Sequence, residues 1–267
     1  MVQRSEFVET VVELIEKAET ELGEDVLELL RNAERREEGH AKMILQSLLE
    51  NVEIAREKRV PMCQDTGIPV IFVDIGYDAE LKFDVYEASR EAVRIATERV
   101  PLRPNSVNPV TRENAGNVPV VHCRLVEGDE VRVAVMPKGA GSENVSKQMM
   151  LLPGDARRIA DFIVDVVREA GGKPCPPVFV GVGIGGTFDE SALMAKRALL
   201  RDAREMNGFE LEVLEKINSL GIGPMGLGGR TTALAVLVEM ECCHTASLPL
   251  AVNIQCWANR RAFAVIG

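Results

Sequence analysis

Aromatic residues make up only 4% of the chain, with one tryptophan and two tyrosines. Platforms for stacking nucleobases are therefore not expected. No dense basic run interrupts a formal net charge of −10, and such a surface repels phosphate backbones. Nucleic acid is not an expected partner. No apolar run is long enough to cross a bilayer, and the opening MVQRSEFVET has no hydrophobic signal core. The chain reads as cytoplasmic, with no membrane partner. None of the six cysteines forms a CxxC pair. That absence argues against a zinc ribbon or finger and against a ferredoxin-type ligand run. Internal repeats and low-complexity linkers are also missing.

What is present is a 267-residue chain that is 46% hydrophobic, enough for one large core or two small ones. Phe7, Val11, Leu14, Ile15 and Ala18 recur at helical spacing. Helix continues to about residue 57, with Ala41, Ile44, Leu48 and Leu49 as a buried stripe. The pattern changes at Pro61. Strands are expected over 69–75, 118–126, 130–136 and PVFVGVG, and helices over 84–99, 155–170, 189–206 and 210–219. Glu127-Gly128-Asp129 reads as a hairpin signal between two of the strands. The expected fold is α/β or α+β. A helical segment (1–60) precedes a mixed region (61–267), or the two form one continuous domain over 1–267. The chain stops in an apolar run, RRAFAVIG, which reads as a strand packing onto something else.

The chemistry gathers in polar, glycine-rich loops. PMCQDTGIPV sets a cysteine, an amide, a carboxylate, a hydroxyl and a glycine in direct succession before a strand. In a reducing compartment the cysteines are expected to be reduced, metal-bound or buried rather than paired. Cys123, inside a strand run, reads as a small buried hydrophobe. Cys63, Cys175 and Cys256 each sit where a polar loop meets a strand. They are either three unrelated buried thiols or three ligands of an iron–sulfur cluster with one iron left open. His244, in CCHTAS, is either a hydrogen-bonded core residue or half of an acid–base pair with a carboxylate such as Asp65. Arg103, between prolines in PLRPNS, is either a surface arginine or a bidentate carboxylate clamp.

Gly181, Gly183 and Gly186 match GxGxxG, the dinucleotide signature. That motif needs a second strand ending in an acid about twenty residues on. Here that region, ESALMAKRALLRDAREMN, reads as continuous helix. A nicotinamide-dependent oxidoreductase thus survives only as an alternative. Such glycines also bring backbone N–H groups close to an anion, or simply shape turns.

MCQDTG, the KGAGSEN loop, PCPP followed by GIGGT, LGIGPMGLGG and HTAS…NIQCWANRR occur together and in this order. From about residue 40 to its end the chain resembles the class I fumarases. These are oxygen-sensitive iron–sulfur hydro-lyases, a family that includes L-tartrate dehydratase. It is similar to the alpha subunit, or N-terminal half, of that family; single-chain members continue into a second domain. The resemblance implies a [4Fe–4S] cluster held by Cys63, Cys175 and Cys256, whose fourth iron binds substrate. Cys242 and Cys243 fall on no ligand position. Asp65 and His244 would form a carboxylate–imidazole pair beside the cluster. Gln64, Arg103 and the backbone at Gly141 would contact substrate.

The expected reaction is reversible hydration of fumarate to L-malate, so the substrate is a four-carbon dicarboxylate. The family's proposed base, a threonine, and further Arg and Lys contacts lie in the other domain. A separate beta subunit is therefore expected to complete the site, within an assembly built on a dimer of alpha subunits. An L-tartrate dehydratase is the nearest alternative. A non-catalytic assembly or metal-storage subunit is the alternative from another class.

Overall fold

A computed structural model describes residues 1–267. Three helices come first: α1 (Arg4–Thr20), α2 (Glu24–Arg36) and α3 (Gly39–Lys58). Next are β1 (Ile68–Gly76), α4 (Val85–Arg99), β2 (Ser106–Val107), β3 (Asn114–Gly116), β4 (Val120–Val126) and β5 (Val131–Lys138). A short α5 (Ala140–Glu143) leads to β6 (Lys147–Leu151), α6 (Ile159–Ala170), β7 (Val178–Gly185), α7 (Phe188–Ala198) and α8 (Gly208–Asn218). The chain closes with β8 (Ala233–Glu241), β9 (Leu248–Gln255) and β10 (Ala262–Ile266). The mixed α/β class and the helical start match the sequence reading.

The chain folds into two compact units, each made of separate segments. The first comprises Met1–Gly23, Asn51–Gly139 and Arg260–Gly267; the second comprises Glu24–Glu50 and Ala140–Asn259. Of the N-terminal helices, α1 belongs to the first unit and α2 to the second, while α3 passes from one to the other.

In the first unit a four-stranded sheet runs in the order β10-β5-β1-β4. Alternation puts Ile71 and Val73 of β1 on the same face as Val131, Val133 and Val135 of β5. That face joins one apolar core with α1 and α4. The α1 stripe falls as read: Phe7, Val11, Leu14, Ile15 and Ala18 are all buried. Helix α4 starts where Asp84 accepts from the backbone N–H groups of Tyr86 and Glu87, an N-cap.

The hairpin expected at Glu127-Gly128-Asp129 does not form. Both strands exist, but β1 lies between them, parallel to β4 and antiparallel to β5. The loop instead arches over the end of β1. Asp78 N–H donates to Gly128 O (3.0 Å) and Gly76 N–H to Glu130 O (2.9 Å). A side chain at Gly76 would overlap the Gly128 backbone. A compact acidic-glycine turn is equally suited to crossing a strand end, and local sequence carries no record of the strand inserted between. Cys123 is likewise corrected: it lies on β4, a sheet edge, and is exposed.

In the second unit the sheet order is β6-β9-β7-β8, with β7 parallel to β8 and antiparallel to β9. Every residue of β7 is buried, as a strand covered on both faces requires. Val178, Val180, Val182 and Ile184 join a core with α6 and α8. The opposite face carries Gly181 and Gly183, where any side chain would overlap Ala195 O and Ser191 O of α7. Helix α6 stops at Gly171, with φ 56°, as the Gly171-Gly172 signal indicated. Helix α7 ends at Ala198, eight residues before the expected 206. The α3 stripe is also shifted. Leu45, Val52 and Ala55 are buried with Ala41 and Leu48, whereas Ile44 and Leu49 are half-buried.

Candidate functional site

The MCQDTG turn belongs to the first unit and leads directly into β1. Both backbone groups of Met62 are tied down. Its N–H donates to Glu19 O (3.0 Å), and its carbonyl accepts from Asn51 Nδ2 (2.8 Å). Asp65 Oδ1 then accepts from Gly67 N–H at 2.9 Å, closing an Asx turn. Gly67 sits at φ +70°, and a Cβ there would lie 2.7 Å from the Lys138 backbone. Only glycine fits on both counts.

The PLRPNS loop packs on this turn. Arg103 N–H donates to the buried Thr66 Oγ1 (3.1 Å). Asn105 Nδ2 reaches Gly67 O (3.1 Å), Thr66 Oγ1 (3.3 Å) and Asp65 Oδ1 (3.4 Å). The Arg103 backbone is therefore fixed to the turn while its side chain is exposed. Gln64 is exposed as well, and Cys63 and Asp65 are half-buried. On the far side, Arg260 Nη2 donates to Asp65 O at 2.9 Å, and Nη1 to Glu19 Oε2 at 2.6 Å. Gly139 lies close against the Asp65 carboxylate: a Cβ there would lie 3.0 Å from Oδ2. Burial pushes the Glu19 carboxyl up to about 7, against the opposing pull of Arg260.

Cys175, Cys256, Gly141 and His244 belong to the second unit. Cys175 is exposed at φ 55°, an uncommon conformation for a residue with a side chain. Its carbonyl accepts from Trp257 N–H at 3.3 Å. That bond ties the PCPP loop to the residue following Cys256. The half-buried Cys256 directs its Sγ toward Ala258 O at 3.7 Å. The GIGPMG loop joins them through Met225 N–H to Pro176 O (2.7 Å). Gly172 and Gly226 approach so closely that a Cβ on Gly226 would lie 2.7 Å from Gly172 Cα.

Gly141 is exposed on α5. Its neighbours are bound to β9 through Ser142 Oγ to Gln255 Oε1 (3.3 Å) and Asn253 Nδ2 to Glu143 Oε2 (3.0 Å). Lys196 Nζ holds the other Glu143 oxygen at 2.5 Å. His244 stands exposed in the β8–β9 turn, so the core-histidine reading falls away. Its Nδ1 accepts from Ala246 N–H at 3.1 Å. In the neutral ring that leaves the proton on Nε2.

The cysteines suit a cluster chemically. Cys63, Cys175 and Cys256 lie on loops, and none of them is in a disulfide. Ligands of a cube-shaped cluster each hold a different iron, so they need not converge as ligands of a single ion do. No group of three or more His, Cys, Asp or Glu in the structure converges in that single-ion manner. The dinucleotide reading loses its support. Gly181 and Gly183 lie inside β7, where they admit α7, rather than in a phosphate-binding turn. The next strand after α7 begins only at Ala233.

Sequence reasoning missed Glu19, Asn105, Gly139 and Arg260. Asn105 lies two residues from Arg103, and Arg260 four from Cys256, so proximity to named residues was a usable signal for both. Glu19 gave none, standing among Glu13, Glu16 and Glu21 on a helix that reads as solvated.

A family model described as fumarate hydratase (Fumerase) matches residues 8–265. A provisionally named L(+)-tartrate dehydratase subunit alpha of Methanocaldococcus jannaschii is 47% identical, with 95% of each chain covered. The L(+)-tartrate dehydratase subunit alpha of Escherichia coli (strain K12) is 31% identical over 91% of this chain and 84% of its own. A provisionally named class I fumarate hydratase of Geobacillus stearothermophilus is 36% identical over 95% of this chain but 53% of its own, so this chain spans about half of it. Joined to the ordered motifs and the locked MCQDTG turn, these matches show that the chain belongs to the fumarate hydratase family of hydro-lyases, on the side of its alpha subunits.

Proposed function

We propose that this chain is the cluster-bearing alpha subunit of a hydro-lyase that adds water to, or removes it from, a four-carbon dicarboxylate. Fumarate and L-malate are the first substrate pair. The observation that carries the reading is the MCQDTG turn. It fixes a thiol, an amide and a carboxylate in mutual register and has the Arg103 loop bonded to it. Cys63, Cys175 and Cys256 would hold a [4Fe–4S] cluster. When bound, it would supply an open iron acting as a Lewis acid toward the departing hydroxyl.

The chain's own residues do the rest. Arg103 presents a planar fork suited to one substrate carboxylate. Gln64 and the backbone at Gly141 orient the diacid. Dehydration takes a proton from the carbon beside a carboxylate and releases hydroxide from the next carbon. Asp65 and His244 are the groups that handle or direct a proton, and the Nε2–H of His244 is free to donate. The Asx turn and Asn105 hold Asp65 in place before substrate arrives, which lowers the orientation cost. A beta subunit would supply the remaining substrate contacts, in keeping with relatives that are named as alpha subunits.

A second reading keeps this chemistry and changes the substrate to L-tartrate. It is favoured by the names of the M. jannaschii and E. coli relatives. Assay of both diacids with the anaerobically prepared alpha–beta complex separates the two. For the ligands, Cys175→Ser should lower iron content and abolish turnover together. A Cys175→Ser complex with full iron and full activity would overturn the assignment.

A further inference from the structure

Glu19 and Arg260 form the most deeply buried ion pair in the first unit, at 1% and 1% exposure and 2.6 Å. A buried pair of this kind adds little to stability that two well-packed apolar side chains would not. What the charged pair supplies is direction. Arg260 sends Nη1 to Glu19 Oε2 and Nη2 to the Asp65 carbonyl. Two N–H groups on different nitrogens of one rigid plane reach two different acceptors, a task a lysine ammonium on a flexible stem does not share. The Glu19 main chain adds a second hold, because its carbonyl accepts from Met62 N–H at 3.0 Å. The two holds bracket Cys63, Gln64 and Asp65: one at the N–H just before the cysteine, the other at the carbonyl of the carboxylate residue.

We propose that Arg260, oriented by Glu19, is a positioning residue that sets the backbone of the Cys63–Asp65 turn while touching no substrate. Its bearing on catalysis rests on the function proposed above; its bearing on the turn does not. The pair also links distant parts of the sequence, since Glu19 lies in the last turn of α1 and Arg260 follows Cys256 by four residues.

The test compares wild type, Glu19→Met/Arg260→Met, Arg260→Lys and Glu19→Gln as alpha–beta complexes. Hydrogen exchange over residues 63–67, thermal melting, iron content and turnover of fumarate and L-tartrate are measured together. The double apolar variant should melt near wild type yet exchange the 63–67 amides about tenfold faster. Its kcat should drop by about tenfold at unchanged iron content. Arg260→Lys should keep the charge and fail to restore slow exchange. Wild-type exchange and wild-type kcat in a folded double variant would overturn the proposal, because the pair would then be structural only. If the double variant does not fold, Arg260→Lys decides: slow exchange in that protein overturns the positioning role. A wild-type complex inactive on both diacids counts against the proposed function, and the exchange result still decides the positioning.

Discussion

At the scale of single residues, the site is a set of short bonds around one turn, and charge enters it through Glu19. Its folded value, about 7, lies above its ordinary 4.5 because burial penalises the anion more than Arg260 rewards it. Between those two values the folded chain retains a proton that the unfolded chain releases, so stability falls as pH rises through this window. Glu19→Gln removes that dependence. The melting difference between wild type and Glu19→Gln should favour wild type most below 4.5 and shrink as pH approaches about 7. A difference that stays constant across the window would contradict this. Asn105→Ala should lower turnover more than stability, since its amide holds Asp65, Thr66 and Gly67 at a part-buried position. A loss of about 1 kcal/mol in melting is the ordinary cost of one such hydrogen bond. That Cys63, Gln64 and Asp65 share one turn was legible because they are adjacent in sequence. Glu19 was not, because nothing local distinguishes it from the less buried acids Glu13, Glu16 and Glu21 nearby. Cys123 was misread because a strand's sequence does not say whether the strand is central or at an edge.

At the scale of elements, glycines report packing more than ligand binding. Gly181 and Gly183 let α7 lie against β7, and no Cβ fits there without moving the helix. Gly183→Ala should therefore destabilise by about 1–3 kcal/mol, the usual range for an overpacked core. Thermal melting would register it, and an unchanged melting point would contradict the packing argument. Asp84→Ala should cost about 1 kcal/mol through loss of the α4 N-cap. Element identity was well legible where periodicity was strong, as in α1, β1 and β7. Pairing was less so, because β1 enters between β4 and β5 from about fifty residues upstream. In the buried stripe of α3, Ala41 and Leu48 fell as read, but Leu45, Val52 and Ala55 took the place of Ile44 and Leu49, because several apolar residues there satisfy the period equally well.

At the scale of the whole molecule, two units with separate cores share the candidate residues between them. Cys63, Gln64, Asp65 and Arg103 belong to one; Gly141, Cys175, His244 and Cys256 belong to the other. Linear reading does not reveal this division, because each unit is assembled from segments far apart in the chain. The family, by contrast, was legible from motif order alone, since several loops of unusual composition recur in one sequence. The substrate was not: L-malate and L-tartrate differ by one hydroxyl group, and no residue here discriminates between them. The proposed function has this chain carry an iron–sulfur hydro-lyase site that a beta subunit completes. The most direct measurement is anaerobic copurification with that subunit, recording the visible spectrum beside water addition to fumarate and water loss from L-tartrate. The expected result is a brown complex, bleached by oxygen, whose turnover of one of these diacids falls in step with its colour. A colourless complex that stays inactive on both diacids after careful cluster reconstitution would contradict it.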